Sequence, residues 1–121
     1  MSFAATAIGG SVLLIARGRI DMSNSDAFKD TLMAAVDAAE QAVVVDMAAV
    51  DYISSAGLRS VMIASKAGKP NGVTLGIAAM RPVVREIFAI SRFDLVFPCF
   101  DTTRDALAKL APDALEAFGP A

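Results

Sequence analysis

The chain has no histidine and no tryptophan, and only one cysteine, Cys99, among 121 residues. Without an imidazole, a Ser-His-Asp triad cannot be built, because nothing of that kind can take the proton from a serine nucleophile. A lone cysteine without histidine also excludes the Cys/His clusters that bind zinc, and it excludes an internal disulfide, which fits a cytoplasmic location. Cys99 itself reads as a small buried apolar side chain. Cations are in slight deficit: 11 Lys and Arg against 13 Asp and Glu, a net charge of -2. Nucleic acid and anionic membrane surfaces both select a basic face, so neither is an expected partner.

Long apolar runs are missing too. Nothing approaches the ~18 residues of a membrane span, and the run Ala42 to Val45 is stopped by Asp46. The opening MSFAATAIGG lacks the basic and then apolar regions of a secretory signal. There is no Walker A sequence, no G-x-G-x-x-G and no G-x-S-x-G elbow. No metal, no cofactor and no enzymatic activity are expected.

What is present suits one globular domain, residues 1–121, with apolar residues at 55% of the chain. Gly9 and Gly10 suit a hairpin turn, followed by the branched strand SVLLIARGRID. Ser23, Asn24 or Ser25 can cap a helix over 25–40, with Phe28, Leu32, Val36 and Ala39 at helical spacing. AVVVDM reads as a strand buried on both faces, with Val43 to Asp46 at the centre of a sheet. A second helix starts at Ser54 and runs to about Lys66. GKPNG is a turn, and VTLGIAAM a further strand. Arg81 and Pro82 open a third helix whose buried side is Val83, Ile87 and Phe88. DLVFPCF reads as an edge strand because of Pro98. Asp101, Thr102 or Thr103 caps a last helix, and residues 112–121 read as a short tail. The order β-β-α-β-α-β-α-β-α means an α/β fold with a mixed, mostly parallel sheet. Sites in open sheets lie beyond the carboxyl ends of the strands, and the segment YISSAGLRSVM (52–62) follows such an end.

Its paired serines allow three readings. Ser54 is placed as a helix N-cap, which explains one hydroxyl. A nucleophile needs a base, and the lysines available, Lys66 and Lys69, lie on a polar stretch. A phosphate at an exposed helix start is favoured by the macrodipole, and its charge would disrupt a partner packed there. Ala56 and Gly57 keep the segment small, and glycine in a first helical turn costs up to ~1 kcal/mol relative to alanine. This points to close approach by something, across Ser54, Ser55, Ala56, Gly57, Leu58 and Arg59.

The stretch VVVDMAAVDYISSAGLRSVM (43–62) resembles the signature of the STAS family, the sulfate transporter and anti-sigma factor antagonist domain. GRID (18–21) is similar to that family's Gly-x-Leu-Asp, and RPVVREIFAISRFDLVFPCFDTTRDAL (81–107) to its C-terminal stretch. The likeness covers residues ~11 to 110. It implies a sheet with helices packed chiefly on one side. For stand-alone members it implies an anti-sigma factor antagonist of a bacterial partner-switching pathway. Such a protein, unphosphorylated, binds an anti-sigma factor that is also a serine kinase. The kinase phosphorylates a serine at the start of the second helix, and a PP2C-type phosphatase removes the phosphate. Position by position, the acceptor is Ser55, with Ser54 the second candidate. Gly57 and Leu58 match the motif, and Asp21 and Asp46 match acidic residues placed near the acceptor. Two positions depart from the family's pattern: Ser54 stands where an aspartate is usual, and Arg59 where glycine is frequent. Arg59, one turn after Ser55, could meet a phosphate there. The same resemblance leaves open an accessory subunit of a lipid ABC transporter, or a ligand-sensing STAS module.

Overall fold

The computed structural model describes residues 2–118. Its elements run β1 (Ser2–Ile8), β2 (Ser11–Ile20), α1 (Ser25–Ala38), β3 (Ala42–Ile53), α2 (Ser55–Gly68), β4 (Thr74–Ala78), α3 (Pro82–Ile90), β5 (Cys99–Phe100), α4 (Thr103–Leu110) and α5 (Pro112–Phe118). The five strands form one sheet in sequence order. β1 and β2 are an antiparallel hairpin, and the pairings from β2 through β5 are parallel. Gly9 and Gly10 turn the hairpin with φ of 51° and 79°, the left-handed region that glycine reaches without a Cβ penalty.

The sheet's order decides where the helices go. Each crossover from β2 to β5 steps the same way across the sheet. Right-handed crossovers that all step one way place their helices on one face. Accordingly α1, α2 and α3 pack together on the side chains of Val12, Leu14, Val43, Val45 and Met47. The alternate residues Leu13, Ala42 and Val44 face the other way, onto Ala106 and Leu107 of α4 and Ala114 of α5. Those two helices follow the last strand, so no crossover constrains their side.

Four local expectations are corrected. Residues 112–118 are a helix, not a tail: Pro112 starts it, and buried Ala114 packs against the hairpin turn. A Cβ on Gly9 would lie 2.7 Å from the Ala114 Cα. Residues 119–121 of the expected tail lie outside the described residues. The segment DLVFPCF is mostly not strand. Phe93–Leu95 is a 3-10 turn, and only Cys99–Phe100 pairs, at the sheet edge after Pro98. On α3 the buried residues are Val84 and Phe88, while Val83 is 53% exposed. Cys99 is half-buried; burial first, and then the nearby Asp94 charge, push its thiol pKa up.

Candidate functional site

The start of α2 is fixed from three directions. The Ser54 N–H donates to the Ile20 carbonyl at 2.9 Å, which ties this corner to the end of β2. The Ser54 hydroxyl accepts from the Gly57 N–H at 3.2 Å, so Ser54 is the N-cap and satisfies one free donor of the first turn. Farther along, the Ser60 hydroxyl donates to the Ser25 carbonyl at 3.1 Å, which joins α2 to the first turn of α1. Leu58, Val61 and Ala64 then sink into the core.

Ser55 is the first residue of α2 and is exposed. Its hydroxyl has no hydrogen bond among the described residues. It opens onto a groove of about 390 Å³ between α1 and α2, whose lining includes Met22, Asp26, Lys29, Ser55, Arg59 and Ile63. Met22 is 83% exposed. A second groove of about 320 Å³ lies on the other flank, where Ser55, Leu58, Arg59 and Met62 meet Ser91 and Phe93. Ser55 and Arg59 therefore form the ridge between two depressions. Neither Lys29 nor Arg59 is in an ion pair among the described residues.

The sequence-based candidates divide. Ser55, half-buried Ala56 and exposed Arg59 lie together on the surface. Ser54 is half-buried and occupied as a cap. Gly57 and Leu58, expected on a docking surface, are buried, and of the two only Leu58 reaches a groove wall. A Cβ on Gly57 would stand 2.9 Å from Cγ2 of Ile20, so glycine is needed for α2 to rest on the strand ends.

Asp21 lies in the loop after Ile20, beside this corner, but its carboxylate is turned to local partners. It accepts from the Ser23 N–H at 3.0 Å and the Ser23 hydroxyl at 2.6 Å, and pairs with Arg19 at 3.4 Å. These hydrogen bonds from Ser23, and then the Arg19 charge, hold the Asp21 carboxyl below its ordinary pKa. Arg19 in turn stacks on Tyr52, 4.1 Å from the ring centroid.

Asp46 is not beside Ser55. β3 continues past it to Ile53, and Asp46 points to the α4 face, where it accepts from the Thr103 hydroxyl at 3.0 Å. The carboxylate that does line the Ser55 groove is Asp26, an acidic residue in the first turn of α1. Helical projection of α1 from its buried Phe28 and Leu32 puts Lys29 on the flank and Asp26 farther toward solvent. Lys66 and Lys69 lie at the far end of α2, 11 or more positions on, about 16 Å at 1.5 Å per residue, so neither can serve Ser55 as a base.

The STAS domain family model matches residues 2–106. The chain belongs to the STAS domain family. Over 101 residues, 84% of this STAS domain and 87% of the relative, it is 36% identical to BtrV of Bordetella bronchiseptica, whose name assigns it to the anti-sigma factor antagonists. It is 29% identical over 98 residues to the anti-sigma-F factor antagonist RsfB of Mycobacterium tuberculosis, covering 81% of this chain and 80% of RsfB. The crystal structure of an anti-sigma factor antagonist from Mycobacterium paratuberculosis superposes with a TM-score of 0.80 at 28% identity, over 90% of this chain and 92% of that one. No helix of this STAS domain, among the described residues, is long and apolar enough to cross a membrane.

Proposed function

We propose that this STAS domain is an anti-sigma factor antagonist of a cytoplasmic partner-switching pathway, with Ser55 as its phosphorylation site. The observation that carries the reading is the Ser55 hydroxyl, exposed on the ridge between two grooves and without a hydrogen bond among the described residues, in a chain whose relatives bear anti-sigma factor antagonist names. Ser54 suits modification less, because its oxygen already caps α2.

The chain contributes a substrate and a surface, not catalysis. The partner is an anti-sigma factor that is also an ATP-using serine kinase. In the transfer, the Ser55 Oγ forms a bond to the γ-phosphorus of ATP as the β–γ bridging P–O bond breaks. ADP leaves, and the hydroxyl proton passes to a base of the kinase. A PP2C-type phosphatase reverses the state by hydrolysis, returning the serine hydroxyl and releasing inorganic phosphate. The unmodified partner surface is Ser55, Ala56 and Arg59, flanked by Met22 and Ile63. A phosphate places about -1.5 to -2 charges in the middle of that contact and opposes close packing.

Titration calorimetry with the cognate kinase tests this. Ser55→Ala should bind like the unmodified protein and never be released by ATP. Ser55→Asp must bury a carboxylate, which costs on the order of a few kcal/mol, so its affinity should fall roughly 10- to 100-fold. If Ser55→Asp binds as tightly as the wild type, the phosphate switch is wrong and the transporter-subunit role takes its place.

A further inference from the structure

We propose that Lys29 of α1 and Arg59 of α2 form a clamp that holds a phosphate carried on Ser55 against the protein's own groove. The proposal rests on the reading of Ser55 as the acceptor and adds what the chain does with the mark once it is made.

Three observations carry it. Lys29, Ser55 and Arg59 line one groove. The two cations come from different helices, so they reach the serine from two sides. Arg59 stands one helical turn beyond Ser55, and Lys29 stands on the opposing wall. The walls are fixed to each other by the Ser60 hydroxyl, which donates to the Ser25 carbonyl at 3.1 Å. Finally, both cations lack an ion pair among the described residues. Among the described residues, the charged groups lining the groove are Lys29 and Asp26 from α1 and Arg59 from α2, two cations against one carboxylate. The arginine fork and the lysine ammonium can both donate to phosphate oxygens, in bonds stronger than neutral ones. The mark then changes the surface twice. It adds negative charge, and it withdraws two cations that an unmodified protein leaves open to a partner.

The test needs no kinase. Phosphoserine is placed at position 55 by genetic code expansion, and its second ionisation is followed by ³¹P NMR against pH. In the wild type it should fall below the ordinary value of about 6. Lys29→Gln and Arg59→Gln should each raise it by roughly half a pH unit, and Asp26→Asn should lower it further. All of these proteins share the same helix start, so the differences report the named side chains alone. Lys29 is half-buried and Arg59 exposed, and melting curves of the unphosphorylated variants check that the fold is kept. The same titration curve in the wild type and in both cation variants overturns the clamp. That result is separable from failure of the switch, which would show instead as undiminished kinase binding by the phosphoprotein.

Discussion

A Cβ on Gly57 would stand 2.7 Å from Cγ1 of Ile53, so the first turn of α2 sits directly on the last residue of β3. The glycine serves the interior, and the surface next to Ser55 depends on it only through the position of the helix. Gly57→Ala should therefore destabilise the protein by about 1–3 kcal/mol, the usual cost of overpacking. Alanine's better helix propensity, worth up to ~1 kcal/mol, works against that loss without cancelling it. Urea unfolding measures the sum, and a net gain in stability would contradict the contact.

The two neighbouring serines should separate cleanly. Ser54→Ala removes the cap on Gly57 and should cost about 1 kcal/mol of stability while leaving phosphate incorporation at residue 55 intact. Ser55→Ala should change stability by less than about 0.5 kcal/mol and abolish the mass increase after incubation with kinase and ATP. Persistent phosphorylation of Ser55→Ala would move the acceptor elsewhere.

Asp46 and Thr103 should behave as a structural pair. Their 3.0 Å bond links β3 to α4 on the face away from Ser55. Hydrogen bonds to charged groups contribute roughly 1.5–3 kcal/mol, so a double-mutant cycle with Asp46→Asn and Thr103→Val should show coupling on the order of 1 kcal/mol. Kinase affinity should stay within about twofold, below 0.5 kcal/mol. A large loss of affinity with little coupling would return Asp46 to the functional site.

Asp21 gives a pH dependence with a defined sign. Its folded-state pKa is lowered, first by the Ser23 hydroxyl, then by the Ser23 N–H, with Arg19 adding to them. A depressed carboxyl contributes stability above its unfolded value of about 3.9 and loses it as the pH falls through the folded value. Asp21→Asn should remove that part of the acid-range loss and leave the rest of the pH profile unchanged. Melting temperatures from about pH 5 downward test it, and an unaltered acid limb in the variant would contradict the assignment.

Much of the fold was legible in the sequence because local chemistry and tertiary demand agree. The branched run at 43–45 is buried on both faces, Gly9-Gly10 turns as its φ freedom allows, and Ser54 caps the helix it precedes. The misses occur where packing decides between equal local options. Val83 and Val84 are chemically alike, and only the docking of α3 sends the second inward. Asp46 interrupts an apolar run, which reads as a strand end, yet β3 continues past it, and the carboxylate accepts from the Thr103 hydroxyl on the far face. Pro112 followed by Asp113 is a helix-start signal, but the seven-residue segment it opens is too short for a helical period to show in the sequence. The groove around Ser55 was only half legible. Arg59 is on the same helix as the serine, but Lys29 is brought to it by the pairing of two helices, which no short stretch of sequence encodes.

The strands from β2 to β5 are laid down in one direction, and this limits what the sheet can recognise. A crevice for a nucleotide-sized molecule opens in open α/β sheets where the strand order turns back and successive crossover helices part to opposite faces. Here the three crossover helices stay together on one face, so the carboxyl edge has no such parting. In the proposed reading, recognition falls instead to the relief made by the helices themselves, with shallow depressions on either side of the Ser55 hydroxyl. A surface of that kind suits a reader as large as a folded protein. Under the proposed function, a single esterified oxygen there would alter what is read while the scaffold beneath stays in place.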